Sequence, residues 1–331
     1  MRPVPPFRCA PILKAKAWGG RRLASLFGRA LPPGQPIGES WEVSDVGDDV
    51  SVVADGPWAG RTLRDVAARD AAALYGAKRL PPERFPLLVK LLDATAPLSV
   101  QVHPDDATAA TLGADSGKTE AWVVLHAEPD ATLWRGVRPG TTRTALEARL
   151  AAGTVAEVLH PIPAAPGDAV FVPPGTIHAI GAGLVLYEIQ QAADVTFRLW
   201  DWGRAGSDGR PRPLQVPQAL ASVDFQQPCL DKRIPAPFAP SQELLVACDK
   251  FTLRRWRGAL AEDARRIGPH CVTVIAGRGA LIGEFGRAEA GAGDTLVVPH
   301  AAGEYRWEPE PGAVALCAHA PALEAPSAGV P

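Results

Sequence analysis

Four side chains in this sequence have the types and spacing of one metal site. Gln101 and His103 lie two apart in PLSVQVHPDD, Glu120 follows in GKTEAWVV, and His178 closes the turn-like GDAVFVPPGTIHAIGAG. Imidazole nitrogens and hard oxygens suit a first-row divalent ion, so the set can hold one zinc ion per chain with a position left open. An open position is where a water or a substrate oxygen is activated. Alone, His103 reads better as a strand-end imidazole bonded to a carbonyl; paired with His178 in its Pro-Gly turn, ligation is the better reading. Glu120 sits in a strand-like run with Ala121, Val123 and Val124. Pointing inward, it needs a strong partner, because burying an unpaired carboxylate is costly, and a metal supplies one. In the alternative, Glu120 faces solvent and Ala121 faces in.

Other charged residues stand in apolar runs. Lys118 precedes Glu120 by two, which puts both side chains on one face of an extended strand. It is a proton carrier, a phosphate contact or a solvated strand end. Lys90, in PLLVKLLD, is a charge in a run that should be buried, so it needs a partner or a job unless it snorkels from an edge strand. Glu188 alternates with Tyr187 and Ile189 in GLVLYEIQQ and should face away from them. Asp201 and Arg204 read as a surface ion pair, and His126, His160, His270, His300 and His319 as structural or surface histidines. Gly19-Gly20 before Arg21 lacks the strand–loop–helix context of a phosphate loop.

The elements that must position these groups are mostly strands. Gly38–Val46, Thr119–Ala127, Ala169–Pro173 and Gly183–Gln191 carry strand patterning. Two helices are predicted, Thr62–Tyr75 with a Thr62 cap and Asp65 three residues on, and Thr142–Leu159 with apolar residues at roughly helical spacing. Both read as insertions on a β scaffold. Residues 205–240 are rich in Pro, Gly, Ser and Asp and read as a long connection. A second β block of about four strands follows, then a frayed tail, EAPSAGVP.

The bulk numbers agree. The 34 Pro and 32 Gly among 331 residues suit many short strands joined by turns. The 34 Lys+Arg against 36 Asp+Glu give a net charge of −2, so no basic excess points to nucleic acid or an acidic membrane. The proline-rich start reads as neither signal peptide nor anchor. Five scattered cysteines without CxxC spacing suit buried free thiols in a reducing cytoplasm and argue against a disulfide framework or a thiolate zinc site.

The two β blocks share a faint repeat. Gly167-Asp168, an apolar run, Pro173, Gly175 and His178 are echoed by Gly293-Asp294, TLVV, Pro299, Ala301 and Glu304. Repetition of one β unit predicts two related barrels. The second lacks a histidine at the ligand offset, with His300 shifted, so it is expected to bind no metal.

The spacing Gly-x5-Pro-x-Gly-x2-His, met at Gly167, Pro173, Gly175 and His178, is the second motif of the cupin superfamily, a double-sheet jelly roll. The first cupin motif is usually His-x-His followed by Glu, whereas this chain has Gln101-x-His103 and then Glu120. Gln-x-His-Pro followed by Gly-Lys-Thr-Glu resembles the type I mannose-6-phosphate isomerases (phosphomannose isomerases), in their compact bacterial branch. LKAKAWGGRRL, GESWEVS, PLLVKLLDATAPLSVQVHPDD and YEIQQAADVTFRLWDWGR resemble the family too, across residues 10 to about 210.

The resemblance implies a mainly β chain of two cupin-type jelly-roll barrels with short helical insertions. Residues 1–205 would form the catalytic metal-binding unit, 206–240 the connection, and 241–322 a metal-free cupin-like unit. It implies that Gln101 is the fourth ligand, that Lys118 lies in the active site, that Arg198 is the catalytic arginine, and that Asp194 falls on an active-site position. The implied reaction is zinc-dependent interconversion of mannose 6-phosphate and fructose 6-phosphate through a cis-enediol. Lys118 or Glu188 would carry the proton, Arg198 would steady the developing charge, and Lys90 and Asp194 would contact substrate. The expected partner is a small sugar phosphate, with no nucleic acid and no membrane, and the chain a monomer or small homo-oligomer. Two other readings remain: an iron-dependent cupin dioxygenase, and a sugar-phosphate-binding cupin without activity.

Overall fold

The computed structural model describes residues 3–77, 82–204, 210–227 and 231–321. Strands dominate, and every pairing between them is antiparallel, as the short turn-rich links require. One six-stranded sheet runs in the order β1 (Ile12–Gly20), β2 (Ile37–Val43), β5 (Leu87–Ala94), β12 (Leu184–Gln191), β7 (Glu120–Ala127) and β10 (Ala169–Val172). A five-stranded sheet has the order β13 (Phe197–Trp200), β6 (Val100–Val102), β11 (His178–Ile180), β8 (Thr132–Val137) and β9 (Leu159–Pro163). The two share a core that joins Leu92, Trp122, Val172 and Leu186 of the first to Leu133 and Ile180 of the second.

A second pair follows. Its six-stranded sheet is β14 (Ala236–Ala239), β15 (Gln242–Ala247), β16 (Thr252–Trp256), β23 (Val314–His319), β18 (His270–Ala276) and β21 (Thr295–Val298). Its four-stranded sheet is β17 (Leu260–Asp263), β22 (Glu304–Pro309), β19 (Arg278–Gly283) and β20 (Gly286–Gly291). They enclose Trp256, Leu281, Leu296 and Trp307. A small hairpin, β3 (Asp45–Val46) with β4 (Asp49–Val50), completes the strands of the described residues.

The period of two along β7 decides what each face does. Trp122 and Val124 point into the first sheet pair, and Glu120 shares their face. Ala121 and Val123 join Val89, Tyr187, Leu253, Cys271 and Leu316 in a cluster between the two six-stranded sheets. Both faces of these strands are therefore buried, and each fully buried Val or Leu there contributes about 1.5–3 kcal/mol. The N-terminal segment is tied into the second half: Phe7 N donates to Val297 O at 3.0 Å and Val297 N to Phe7 O at 2.8 Å.

Several sequence expectations need correction. The first predicted helix is two, Leu63–Arg69 and Ala71–Tyr75, parted at Asp70; Thr62 does cap it, accepting from Asp65 N. The second stops at Ala152, because Gly153 takes the left-handed conformation (φ 70°) that ends helices, and a 3-10 turn over Val155–Val158 follows. The long connection holds a helix, Val216–Ser222, and the edge strand β14. The block after residue 240 has nine strands among the described residues, β15 to β23, where about four were expected. Asp201 is buried, so its contacts to Arg204 and to Arg212 (3.4 Å) are not a surface pair. Cys248 is half-buried, while Cys9, Cys271 and Cys317 are buried and free; Cys229 and the tail from 324 lie outside the described residues. Gly19 has a steric role: a Cβ there would stand 2.4 Å from Gly38 N.

The repeat is real in space, with one shift. Gly167 and Gly293 turn with φ 91° and 93°, and β10 and β21 follow them. At the far end the inward-facing residue is Tyr305, not Glu304, which is exposed. The 3-10 turn His300–Ala302 takes up one extra residue.

His270 is fully buried; its Nδ1 donates to Gly268 O at 2.8 Å and its Nε2 accepts from Tyr305 Oη at 2.5 Å. Burial pushes its pKa down to about 3. The folded value lies below the unfolded one, so this contribution is present above about pH 6.5 and is lost as pH falls towards 3. Between pH 7 and 4.5 the site should cost about 2–3 kcal/mol of stability. Urea melts at both pH values check this: His270→Gln should narrow the difference between them, and an unchanged difference would refute it.

Candidate metal centre and active site

The first sheet pair brings three ligand-type side chains to one point. His103 follows the end of β6, Glu120 opens β7 and His178 opens β11. All three are buried, and one ligand atom from each lies within 4.8 Å of the others. His178 Nε2 stands 3.3 Å from Glu120 Oε1, and His103 Nε2 stands 3.3 Å from Glu120 Oε2. Lys118 joins them, its Nζ 2.6 Å from Glu120 Oε2 and 3.2 Å from His103 Nε2. Glu120 therefore faces in, and the solvent-facing alternative is wrong.

The donor set fits a divalent cation. His178 Nδ1 lies 2.9 Å from the Thr176 carbonyl, so it carries the proton and leaves the Nε2 lone pair facing Glu120. Burial lowers the pKa of His178, which disfavours a second proton there. Burial, seconded by Lys118, pushes His103 down to about 3. Burial alone would raise Glu120, but Lys118 and the two imidazoles hold it well below the usual carboxylate range. Both Glu120 oxygens are buried without a hydrogen bond of ordinary geometry. An anionic carboxylate and two neutral imidazoles converging in this way leave lone pairs that a cation would satisfy.

Gln101 lies directly across from His178 in the β6–β11 pairing, and its amide is 3.1 Å from His178 Nε2. The atom that faces His178 is the amide nitrogen, a donor, while the amide oxygen accepts from Ser99 Oγ at 3.4 Å. Arg198 lies directly across from Gln101 in the β13–β6 pairing, so His178, Gln101 and Arg198 form one row across three strands. Its Nε finds no hydrogen-bond partner among the described residues. Burial lowers its pKa, Arg212 adding to that, while Asp201, Asp194 and Glu39 act against it.

The facing sheet carries a second row: Trp41, Lys90, Glu188 and Trp122, each directly across from the next. Glu188 is held at both oxygens, by Lys90 Nζ at 3.1 Å and by Trp122 Nε1 at 3.0 Å. Burial raises the Glu188 carboxyl against the pull of Lys90. Burial opposes the charge on Lys90, yet Glu188 and Glu39 outweigh it and hold the ammonium well above its ordinary range. Lys90 also lies 4.9 Å from the Trp41 ring centre, so it does not snorkel. Asp194 is exposed, near enough to Lys90 and Arg198 to act on both charges.

Sequence reading passed over Trp122, Trp41, Glu39 and Arg135. Trp122 joins the groups by packing edge-on against the His178 ring, 5.4 Å between centres, while holding Glu188. Its signal was its place two residues after Glu120. Trp41 Nε1 donates to Glu39 Oε2 at 2.7 Å, and Lys16 is 3.3 Å from the same carboxylate. Arg135, buried and directly across from His178, had no local signal.

Residues 7–121 match the family model "Phosphomannose isomerase type I, catalytic domain". The chain is 35% identical over 315 residues to the probable mannose-6-phosphate isomerase GmuF of Bacillus subtilis, covering 92% of this chain and 96% of that one. Its fold superposes on the crystal structure of the mannose 6-phosphate isomerase from Bacillus subtilis with a TM-score of 0.85 at 28% identity, over 95% and 99% of the two chains. A mannose 6-phosphate isomerase crystallised with zinc and yttrium shares the fold, at a TM-score of 0.73 and 17% identity over 96% and 99%. With a relative this similar along nearly its whole length, the chain belongs to the type I mannose-6-phosphate isomerase family.

Proposed function

We propose that this isomerase interconverts mannose 6-phosphate and fructose 6-phosphate through a cis-enediol, with one zinc ion held by His103, Glu120, His178 and Gln101. The observation that carries the reading is the buried His103–Glu120–His178 cluster with Lys118 in contact and Arg198 two strands away in the same row. Bound zinc supplies Lewis-acid polarisation of the sugar oxygens beside the migrating proton. His178 is fixed for its part by its Nδ1–H bond to Thr176.

The chain's own groups do the remaining work. Moving a proton between C1 and C2 needs a carrier within reach and a cation facing the oxygen that gains charge. Lys118 touches the ligand cluster, whereas Glu188 is tied at both oxygens. We therefore assign the proton to Lys118, and to Glu188 the holding of Lys90. Arg198 supplies the fixed positive charge, which its guanidinium keeps at any working pH. Lys90 and Asp194 are assigned to substrate contact, Asp194 being exposed and close enough to act on the charges of both Lys90 and Arg198. No helix among the described residues is long and apolar enough to cross a membrane.

A coupled assay of mannose 6-phosphate conversion to fructose 6-phosphate, run before and after chelation, tests this reading. Activity should vanish on complete chelation and return best with zinc, with cobalt and manganese as comparisons. Turnover that survives full metal removal would sink the mechanism. Binding of mannose 6-phosphate without turnover in the zinc-loaded protein would favour a binding protein instead.

A further inference from the structure

The second sheet pair repeats the first strand for strand, β15-β16-β23-β18-β21 matching β2-β5-β12-β7-β10 and β17-β22-β19 matching β6-β11-β8. The register matches as well. Val172 faces Glu120 as Val298 faces His270. Glu188 pairs with Lys90 as Cys317 pairs with Arg254. His178 pairs with Gln101 as Tyr305 pairs with Glu262. His270, Tyr305, Glu262 and Arg254 thus stand where the first centre has Glu120, His178, Gln101 and Lys90. The place of His103, two residues beyond Gln101, falls to Ala264, which is fully buried.

The replacements change where positive charge comes from. In the first centre, ligand lone pairs converge. In the second, Arg254 is only 4% exposed, and its Nη1 donates to Glu262 Oε1 at 2.6 Å and to Gln242 Oε1 at 2.7 Å. Its Nη2 lies 3.7 Å from Cys317 Sγ. His270 and Tyr305 satisfy each other, and His270 Nδ1 is taken by Gly268 O. Only Arg254 Nε in this group is left without a partner. Lys90 turns to Glu188, on the neighbouring strand of its own sheet. Arg254 instead reaches Glu262, on β17 of the facing sheet, the counterpart of the Gln101 ligand position.

We propose that the second barrel's centre is a degenerate copy of the metal centre, in which the Arg254 guanidinium, clamped by Glu262 and Gln242, is the resident cation. This rests on reading the first centre as a metal site. A covalently supplied cation cannot be chelated, so the second half keeps its centre charged and paired without metal. It also shares the core between the six-stranded sheets with the metal-binding half, and so braces it when metal is absent.

Zinc per chain by elemental analysis, thermal melts with and without chelator, and isomerase assays test the proposal on four proteins. They are the native chain, Arg254→Leu, Arg254→Leu/Glu262→Leu, and a transplant. The transplant carries Arg254→Leu, Glu262→Gln, Ala264→His, His270→Glu and Tyr305→His. The native chain should hold one zinc. Arg254→Leu leaves the Glu262 carboxylate, whose side chain is only 10% exposed, uncompensated and should lower Tm by about 6–12 °C. Removing Glu262 as well should recover at least about half of that loss, and both variants should keep one zinc and activity within about twofold. The transplant should take a second zinc that raises its Tm.

Two zinc ions in the native chain, or an unchanged Tm in Arg254→Leu, would overturn the proposal. A transplant that folds yet takes no second zinc would also overturn it. Should the transplant fail to fold, the Arg254 and Glu262 variants decide alone. An active native chain without zinc would instead defeat the reading of the first centre, leaving the Tm results to judge the second.

Discussion

His178→Ala should leave the protein folded but without bound metal and without measurable turnover. Among the proposed ligands, His178 has the most completely determined geometry. Its Nδ1–H is anchored on Thr176, its ring packs against Trp122, and its Nε2 faces both Glu120 and Gln101. Losing only a supporting partner of a metal ligand costs about 10–100-fold in metal affinity, so losing the ligand should cost more than about 100-fold. Elemental analysis and the coupled assay, made on protein whose melt shows it folded, check both halves. Zinc retained at one per chain with near-native kcat would remove His178 from the site. His178→Gln is a useful companion, because an amide oxygen could keep a weak contact, and its metal affinity should fall between the two.

Arg198→Ala should separate metal binding from catalysis. Arg198 shares a row with Gln101 and His178 but stands two strands from His178, so its loss should leave one zinc per chain. If its charge steadies the oxygen that becomes negative in the transition state, kcat should fall by about 10²–10³-fold, the usual loss on removing one such donor. KM should move much less. Arg198→Lys would restore part of the charge without the planar fork, and so part of the rate. Normal kcat in Arg198→Ala would show that the assigned role is wrong. A fall in zinc content parallel to the fall in kcat would make Arg198 a support of the metal instead.

Much of this site was legible in the sequence, because its carriers are local. Gly167, Pro173, Gly175 and His178 encode a turn between two strands, and a turn is specified by the residues inside it. The two-residue spacings Gln101-x-His103 and Lys118-x-Glu120 put both members on one face of extended chain whatever surrounds them. The doubling of the fold was legible for the same reason, since Gly167 and Gly293 each start the same turn before β10 and β21.

What the tertiary structure decided was pairing across strands distant in the chain. That Glu188 lies between Lys90 and Trp122, and Gln101 between His178 and Arg198, follows from registers set by packing both faces of each strand. A shift of one residue would have turned Glu120 towards the apolar cluster between the sheets and Ala121 into the centre. The second centre teaches the same lesson. Counting offsets pointed to Glu304, but one extra residue in the turn at His300–Ala302 brings Tyr305 inward, and only the β16–β23 and β17–β22 registers set Arg254 and Glu262 in their places. Sequence by itself determined the candidate ligand types and the turns that present them. The fold alone decided which charges meet, because each partner's position depends on hydrogen bonds made by strands tens of residues away.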